Sequence, residues 1–312
     1  MQSINDLIVR GATVTHRGQT EVCDLWVCDG RVERLEPEVA LPSGATPREI
    51  DGRGLWLLPG VIDSHVHFRD PGFPAKGTMH SESRAAVAGG VTTVFDMPNT
   101  LPPTMDEESW TDKMRRARQR MWTNYAFYAG VHAERWQDAL RIDPTQIPGY
   151  TDDGLYMHER DVLLCNHPEV LEKVLLEVPK MLALHCEDEQ RIQQQLLEAQ
   201  RSFGVDLPVR AHSQIRDEEA CVTATQRVLE VQRSVPRPVH VLHVSTAREV
   251  QLIRAAAAEG QPVTAELCVH HATFSQGDYG RLGAAIRWNP SVKASTDRDY
   301  LRQAAARGWM AT

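Results

Sequence analysis

The sequence has no surplus of basic residues: 34 Lys and Arg stand against 42 Asp and Glu, a formal net charge of −8. That excludes a general nucleic-acid binder, which needs a basic stripe to neutralise phosphates. No apolar run approaches the roughly 20 residues that span a bilayer. The first residues, MQSINDLIVRGATVT, lack the basic-then-apolar pattern of a secretory signal, so a cytoplasmic protein with no membrane partner is expected. CxxC pairs are missing, and the six cysteines (23, 28, 165, 186, 221 and 268) read as reduced core residues rather than a disulfide frame. Neither GxGxxG nor GxxxxGK[ST] occurs, which removes the usual phosphate-cradling loops. There is no internal repeat or low-complexity tract. An apolar share of 42% with 24% charged residues excludes wholesale disorder.

At about 150 residues per domain, 312 residues suggest two domains, or one large α/β barrel with an appendage. Residues 1–58 read as short strands around 7–9, 25–27 and 31–35, broken by Gly11, Gly18, Asp29-Gly30 and Pro37. Asp29-Gly30 between two such runs signals a hairpin. A small β-domain is expected there.

From Leu58 the rhythm changes. Strand-sized apolar runs fall at 61–67, 91–97, 124–130, 149–155, 181–186, 239–244, 262–267 and about 309–312. Helical stretches lie between them, at 81–89, 107–120, 168–178, 187–203, 217–234, 247–260 and 297–307. Repeated β-then-α units imply parallel strands. Eight such strands predict an α/β fold, a TIM-like (β/α)8 barrel over 59–312, with an open doubly wound sheet as the alternative.

Thirteen histidines is a high count, and their placement carries the argument. His65 and His67 end the first barrel strand. Side chains two apart share a face, so both imidazoles can reach one metal ion; the competing reading is two polar residues at a strand end. In 181–186, Ala183 and His185 share a face. In 239–244, His243 shares one with Val239 and Val241, and is inward if the valines are; His240 is then outward and structural. One inward histidine alone is more often packed than a ligand. Four of them at the mouth of one barrel reverse that preference.

The segment Asp63-Ser64-His65-Val66-His67-Phe68-Arg69-Asp70-Pro71-Gly72 resembles the dihydroorotase family of the amidohydrolase superfamily. The resemblance continues through Lys76-Gly77, residues 81–93 and Asp96-Met97-Pro98-Asn99-Thr100. It resumes at His185-Cys186-Glu187-Asp188, at His212 to Arg216 with Glu218-Glu219-Ala220, at His243 to Ala247 and at Thr264 to His271. It implies a zinc-dependent cyclic amide hydrolase, with one or two Zn²⁺ per chain. His65 and His67 would hold the more buried ion, His185 and His243 the more exposed one. Many relatives bridge the two with a carbamylated lysine ending the fourth strand. None of Lys76, Lys113, Lys173, Lys180 and Lys293 fits that place. Part of the family has an aspartate there, and Asp153 of Asp152-Asp153-Gly154 matches it; the competing reading is a plain turn.

By the same resemblance Arg69 binds a substrate carboxylate, Asn99 assists it, and Asn289 contacts the pyrimidine ring. Alone, Arg69 would read as a surface ion-pair residue and Asn99 as a turn residue. His271 either lines the pocket or packs in the core. The implied reaction is reversible hydrolysis of dihydroorotate to N-carbamoyl-L-aspartate in pyrimidine biosynthesis, by a cytoplasmic homo-oligomer, most simply a dimer. An allantoinase or hydantoinase is the alternative within the class. The family's proton-transferring aspartate would follow Thr312, so a fragment or a non-catalytic relative is the third reading. Asp297 and Asp299, at a helix start, read as caps rather than stand-ins.

Overall fold

A computed structural model of the chain describes residues 6–16, 18–157, 159 and 161–310. The chain divides into two compact units, Met1–Val61 and Ile62–Thr312.

In the first unit β1 (Leu7–His16), β2 (Gln19–Cys28) and β3 (Arg31–Glu36) form an antiparallel meander. The β2–β3 turn places Asp29 at φ 49° and Gly30 at φ 74°. Two successive positive φ values match the right-handed twist of the flanking strands, which is why Asp-Gly serves there. Two strands escaped the sequence reading, β4 (Arg48–Asp51) and β5 (Trp56–Leu57), both parallel to β1. They are too short to show an alternating pattern. Val9, Ala12, Val14 and Cys23 pack together in one cluster, and Ile8, Trp26 and Val39 in another.

The second unit alternates strands and helices. Its strands are β6 (Val61–Val66), β7 (Val91–Asp96), β8 (Asn124–Phe127), β9 (Ala129–Gly130), β10 (Tyr150–Thr151), β11 (Leu182–Leu184), β12 (Val239–Val241) and β13 (Val263–Ala265). They pair in chain order, β6-β7-β8 and β9-β10-β11-β12-β13. Tyr128 joins the two sets, its amide bonded to the Asp96 carbonyl at 3.1 Å. The helices of ten or more residues are α1 (Met79–Ala88), α2 (Glu107–Ala117), α3 (Pro168–Glu177), α4 (Glu189–Phe203), α5 (Glu218–Ser234), α6 (Ala247–Ala258) and α7 (Ser295–Ala306). Side-chain caps fix several starts: the side chains of Thr78, Asp106 and Thr246 each accept from the third helical amide, and their own amides donate back to that residue's side chain. Trp309 and Met310, expected to begin an eighth strand, form a bend instead, and the rest of that expected strand (Ala311 and Thr312) lies outside the described residues.

β9, β10 and β11 are buried on both faces because both are covered. Leu182, Leu184, Val239, Val241 and Val263 pack with Leu171, Val174, Val228 and Ile253 of the helices. Ala183 and Leu242 pack on the other side with Met97 and Tyr128. The valines of β12 thus face the helices, which corrects the expected orientation of its histidines. His240 lies on the interior side, with Nδ1 2.8 Å from Thr264 Oγ1 and Nε2 3.4 Å from a Glu266 oxygen. Among the described residues, no helix is long and apolar enough to cross a membrane.

Candidate metal centre

All five expected ligands come together just beyond, or in the last turn of, parallel strands. His65 is the penultimate residue of β6 and His67 follows it. Asp153 lies two residues past β10, His185 one past β11 and His243 two past β12. This is the end of a parallel barrel where loops from different strands converge. His243 reaches the cluster by backbone conformation: its φ of 38° interrupts the alternation of β12 and re-aims the ring.

Asp153 sits between two pairs of imidazoles. Its Oδ2 lies 3.3 Å from Nε2 of both His65 and His67, whose Nε2 atoms are 3.2 Å apart. Its Oδ1 lies 3.1 Å from His185 Nδ1 and 3.3 Å from His243 Nε2, and those two nitrogens are 3.1 Å apart. Ligands about 2.0–2.1 Å from one tetrahedral ion stand about 3.3–3.4 Å from each other. Each half of the cluster therefore has the edge lengths of a small metal polyhedron, with one carboxylate oxygen serving each half. Asp153 is almost fully buried, and its Oδ2 has no hydrogen-bond partner among the described residues. An orphaned buried carboxylate oxygen facing two imidazole nitrogens fits a cation.

The outer nitrogens are held by acceptors. Glu266 Oε1 lies 2.5 Å from His65 Nδ1, Asn99 Oδ1 2.9 Å from His67 Nδ1 and Glu187 Oε2 2.7 Å from His185 Nε2. An acceptor on the outer nitrogen keeps its proton there and leaves the inner nitrogen a lone pair to offer. Without an ion the cluster stays partly protonated. Burial opposes charge on His65, but Asp153 and Glu266 override it and raise its pKa to about 10. Burial lowers His67 to about 3. Binding a cation would displace such protons.

Asp152 and Asp153 divide their work. Asp152 accepts from the amides of His185 and Leu164, each at 2.9 Å, and burial raises its pKa to about 7. It fixes the backbone that carries His185. Gly154, at φ 73°, turns the chain against Asn99, where a Cβ would collide with the Asn99 amide.

The cluster floors a cavity of about 350 Å³, a size suited to a small organic ligand. Arg69, Lys76 and Arg287 line its wall with Tyr156, Trp288 and Asn289. Among the described residues none of the three cations forms an ion pair; the Arg69 guanidinium meets only the Met157 sulfur, at 3.4 Å. Asn99 also lines the cavity, but its amide oxygen is committed to His67. Asn289 lines the cavity with Tyr156, whose hydroxyl pKa burial raises. His271 is buried with Nε2 on the Pro290 carbonyl at 2.9 Å and is not part of the cavity lining. Asp297 caps helix α6 rather than its own, accepting from the Ala247 amide at 2.9 Å.

Glu266 and Glu187 went unassigned in the sequence. The available signals were position: Glu187 is two residues past His185, and Glu266 directly follows β13. Tyr156 also escaped notice, although its ring lies 4.5 Å from that of His185.

The family described as Dihydro-orotase-like matches residues 54–200. A dihydroorotase of Methanosarcina acetivorans is 30% identical over 93% of this chain and 62% of its own length. The chain belongs to the dihydroorotase-like family of the amidohydrolase superfamily. An allantoinase of Bacillus velezensis is likewise 30% identical, over 97% of this chain and 66% of its own length. The L-hydantoinase (dihydropyrimidinase) of Arthrobacter aurescens superposes with a TM-score of 0.88 at 25% identity, over 98% of this chain and 67% of that one. The fold is thus the TIM-barrel α/β fold of the family, and the chain spans somewhat less than two thirds of the length of these curated relatives.

Proposed function

We propose that this protein is a zinc-dependent hydrolase of cyclic amides whose substrate pair is dihydroorotate and N-carbamoyl-L-aspartate. The observation that carries this is Asp153, poised between two imidazole pairs at the floor of a cavity with three uncommitted cations on its wall. His65 and His67 would hold one ion and His185 and His243 the other, with Asp153 shared. Imidazole and carboxylate donors suit zinc. Bound ions supply Lewis acidity and a water acidic enough to ionise near neutral pH.

The chain's own residues do the rest. Glu266, Asn99 and Glu187 hold three of the rings in a fixed tautomer and direction. Arg69 offers two parallel N–H donors to a substrate carboxylate, and Lys76 and Arg287 add positive potential to the same wall. Asn289 presents an amide toward the ring from beside Tyr156. Hydrolysis adds water across the ring C–N bond; the carbonyl carbon gains the oxygen and the departing nitrogen gains a proton. Among the described residues Asp153 is the one acidic side chain on the cavity wall.

The second reading, allantoin or a hydantoin as substrate, draws on the relatives named allantoinase and hydantoinase. Those rings lack a carboxylate and leave Arg69 without its anion. Calorimetry on the zinc-loaded protein separates the two. Binding of N-carbamoyl-L-aspartate that is lost in Arg69→Ala supports the dihydroorotase reading; turnover of allantoin or hydantoin with no response to dihydroorotate overturns it. Zinc content with neither binding nor turnover of any of them would favour a non-catalytic relative.

A further inference from the structure

A second group of ligating side chains lies in the turn after β13. Cys268, His270 and His271 bring one sulfur and two ring nitrogens within 4.8 Å of one another. None of the three belongs to the cluster around Asp153. The most telling member is His271. It is 2% exposed, and its Nδ1 has no hydrogen-bond partner among the described residues. Its Nε2 lies 2.9 Å from the Pro290 carbonyl, which can only accept, so the ring proton sits on Nε2. Nδ1 is then a bare lone pair in a buried site, a costly arrangement unless a donor or something positive meets it. This also reproduces a common metal-site device, in which a backbone carbonyl fixes the far nitrogen of a ligating imidazole.

The other two members supply complementary chemistry. His270 packs at a tilt against His271, ring centroids 4.3 Å apart and planes 53° apart, and lies 4.2 Å from the Trp288 ring. Cys268 and His270 are partly exposed and line the cavity, whereas His271 backs them from the interior. An ion entering from the cavity would meet the first two and be held from behind by the third, leaving a fourth position open to the cavity.

We propose that Cys268, His270 and His271 form a separate, thiolate-containing site for a thiophilic divalent cation such as Zn²⁺ or Cd²⁺. Binding breaks the Cys268 S–H bond, forms an S–metal bond and releases the proton to solvent, while both imidazoles donate neutral lone pairs. Tetrahedral zinc bonded to sulfur at about 2.3 Å and nitrogen at about 2.0–2.1 Å needs its ligands closer than 4.8 Å. His270, partly exposed on the cavity side, is the member whose ring would have to shift to close the set. The bound ion would narrow the cavity beside Trp288.

The two metal groups are separable by spectroscopy, because only this one contains sulfur. Cadmium added to the zinc-loaded protein should produce a thiolate-to-cadmium charge-transfer absorption that saturates at one equivalent. The band should vanish in Cys268→Ser and demand at least about tenfold more cadmium in His270→Ala, whose ring is partly exposed. It should persist in Cys28→Ser and in His65→Ala. Absence of the band in the wild-type protein overturns the proposal, as does a band undiminished in both Cys268→Ser and His270→Ala.

Discussion

Glu266 and His65, 201 residues apart in sequence, meet at 2.5 Å, carboxylate oxygen to Nδ1. The contact ties the end of β13 to the end of β6 and points Nε2 of His65 at Asp153. Glu266 also lies near His240, so one carboxylate orders two imidazoles. Glu266→Gln keeps the shape and removes the charge. It should weaken zinc binding about 10–100-fold without unfolding the protein, as loss of an outer acceptor does elsewhere. Competition against a chromophoric chelator reads this directly; wild-type affinity in the variant would contradict the assigned role.

Lys113 and Asp96 form a fully buried ion pair at 2.8 Å. The same aspartate accepts from the Phe68 amide at 2.9 Å, and Phe68 lies between His67 and Arg69. The pair therefore anchors the segment that carries two site residues. Lys113→Ala strands a buried carboxylate and should cost about 3–5 kcal/mol. Replacing both partners by apolar residues of similar volume should cost less than removing Lys113 alone. Urea unfolding of the single and double variants tests the ordering.

Gly154→Ala should disturb the metal centre without touching a ligand. The new methyl group would meet the Asn99 amide, which holds His67, and the positive φ adds backbone strain. Zinc content should fall, with the His67 side of the cluster affected first. Full zinc loading and unchanged affinity would show that Asn99 can move at no cost.

Acid should weaken the small β-unit through Asp24. Burial raises the pKa of this carboxyl, but bonds from Arg10 and from the amides of Val39 and Gly11 outweigh burial and hold it below the ordinary value. A depressed folded pKa contributes stability above the unfolded value of about 3.9 and loses it as pH falls through the folded one. Asp24→Ala should cost about 1–3 kcal/mol near neutrality, the penalty for leaving buried donors unpaired. Its deficit should begin to shrink below about pH 4, where the unfolded chain takes up the proton first, and vanish once pH falls below the lowered folded value. Denaturation curves at neutral and acidic pH measure both numbers.

Much of this site is legible in the sequence because strand geometry is simple. Two histidines two residues apart on a strand must share a face, and His65 and His67 do converge. His243 was reached by the right parity and the wrong face. Val239 and Val241 point to the helices, and only the left-handed backbone at His243 returns its ring to the cluster. Nothing in a non-glycine residue announces that conformation. Strand lengths were overdrawn for a related reason: apolar runs at 149–155 and 239–244 mark burial, while pairing covers only Tyr150–Thr151 and Val239–Val241. Glu187 and Glu266 stayed silent because an acceptor's value depends on which imidazole the fold puts beside it. Asn99 was expected at a substrate, and the fold gives its oxygen to His67.

The decisive measurement is zinc stoichiometry in the wild-type protein and in His65→Ala, His185→Ala and Asp153→Ala, with the sulfur site blocked by Cys268→Ser. Two ions per chain should fall to about one in each histidine variant, and to fewer than one without the shared carboxylate. Stoichiometry unchanged in both histidine variants would remove these residues from the ligand set and contradict the account.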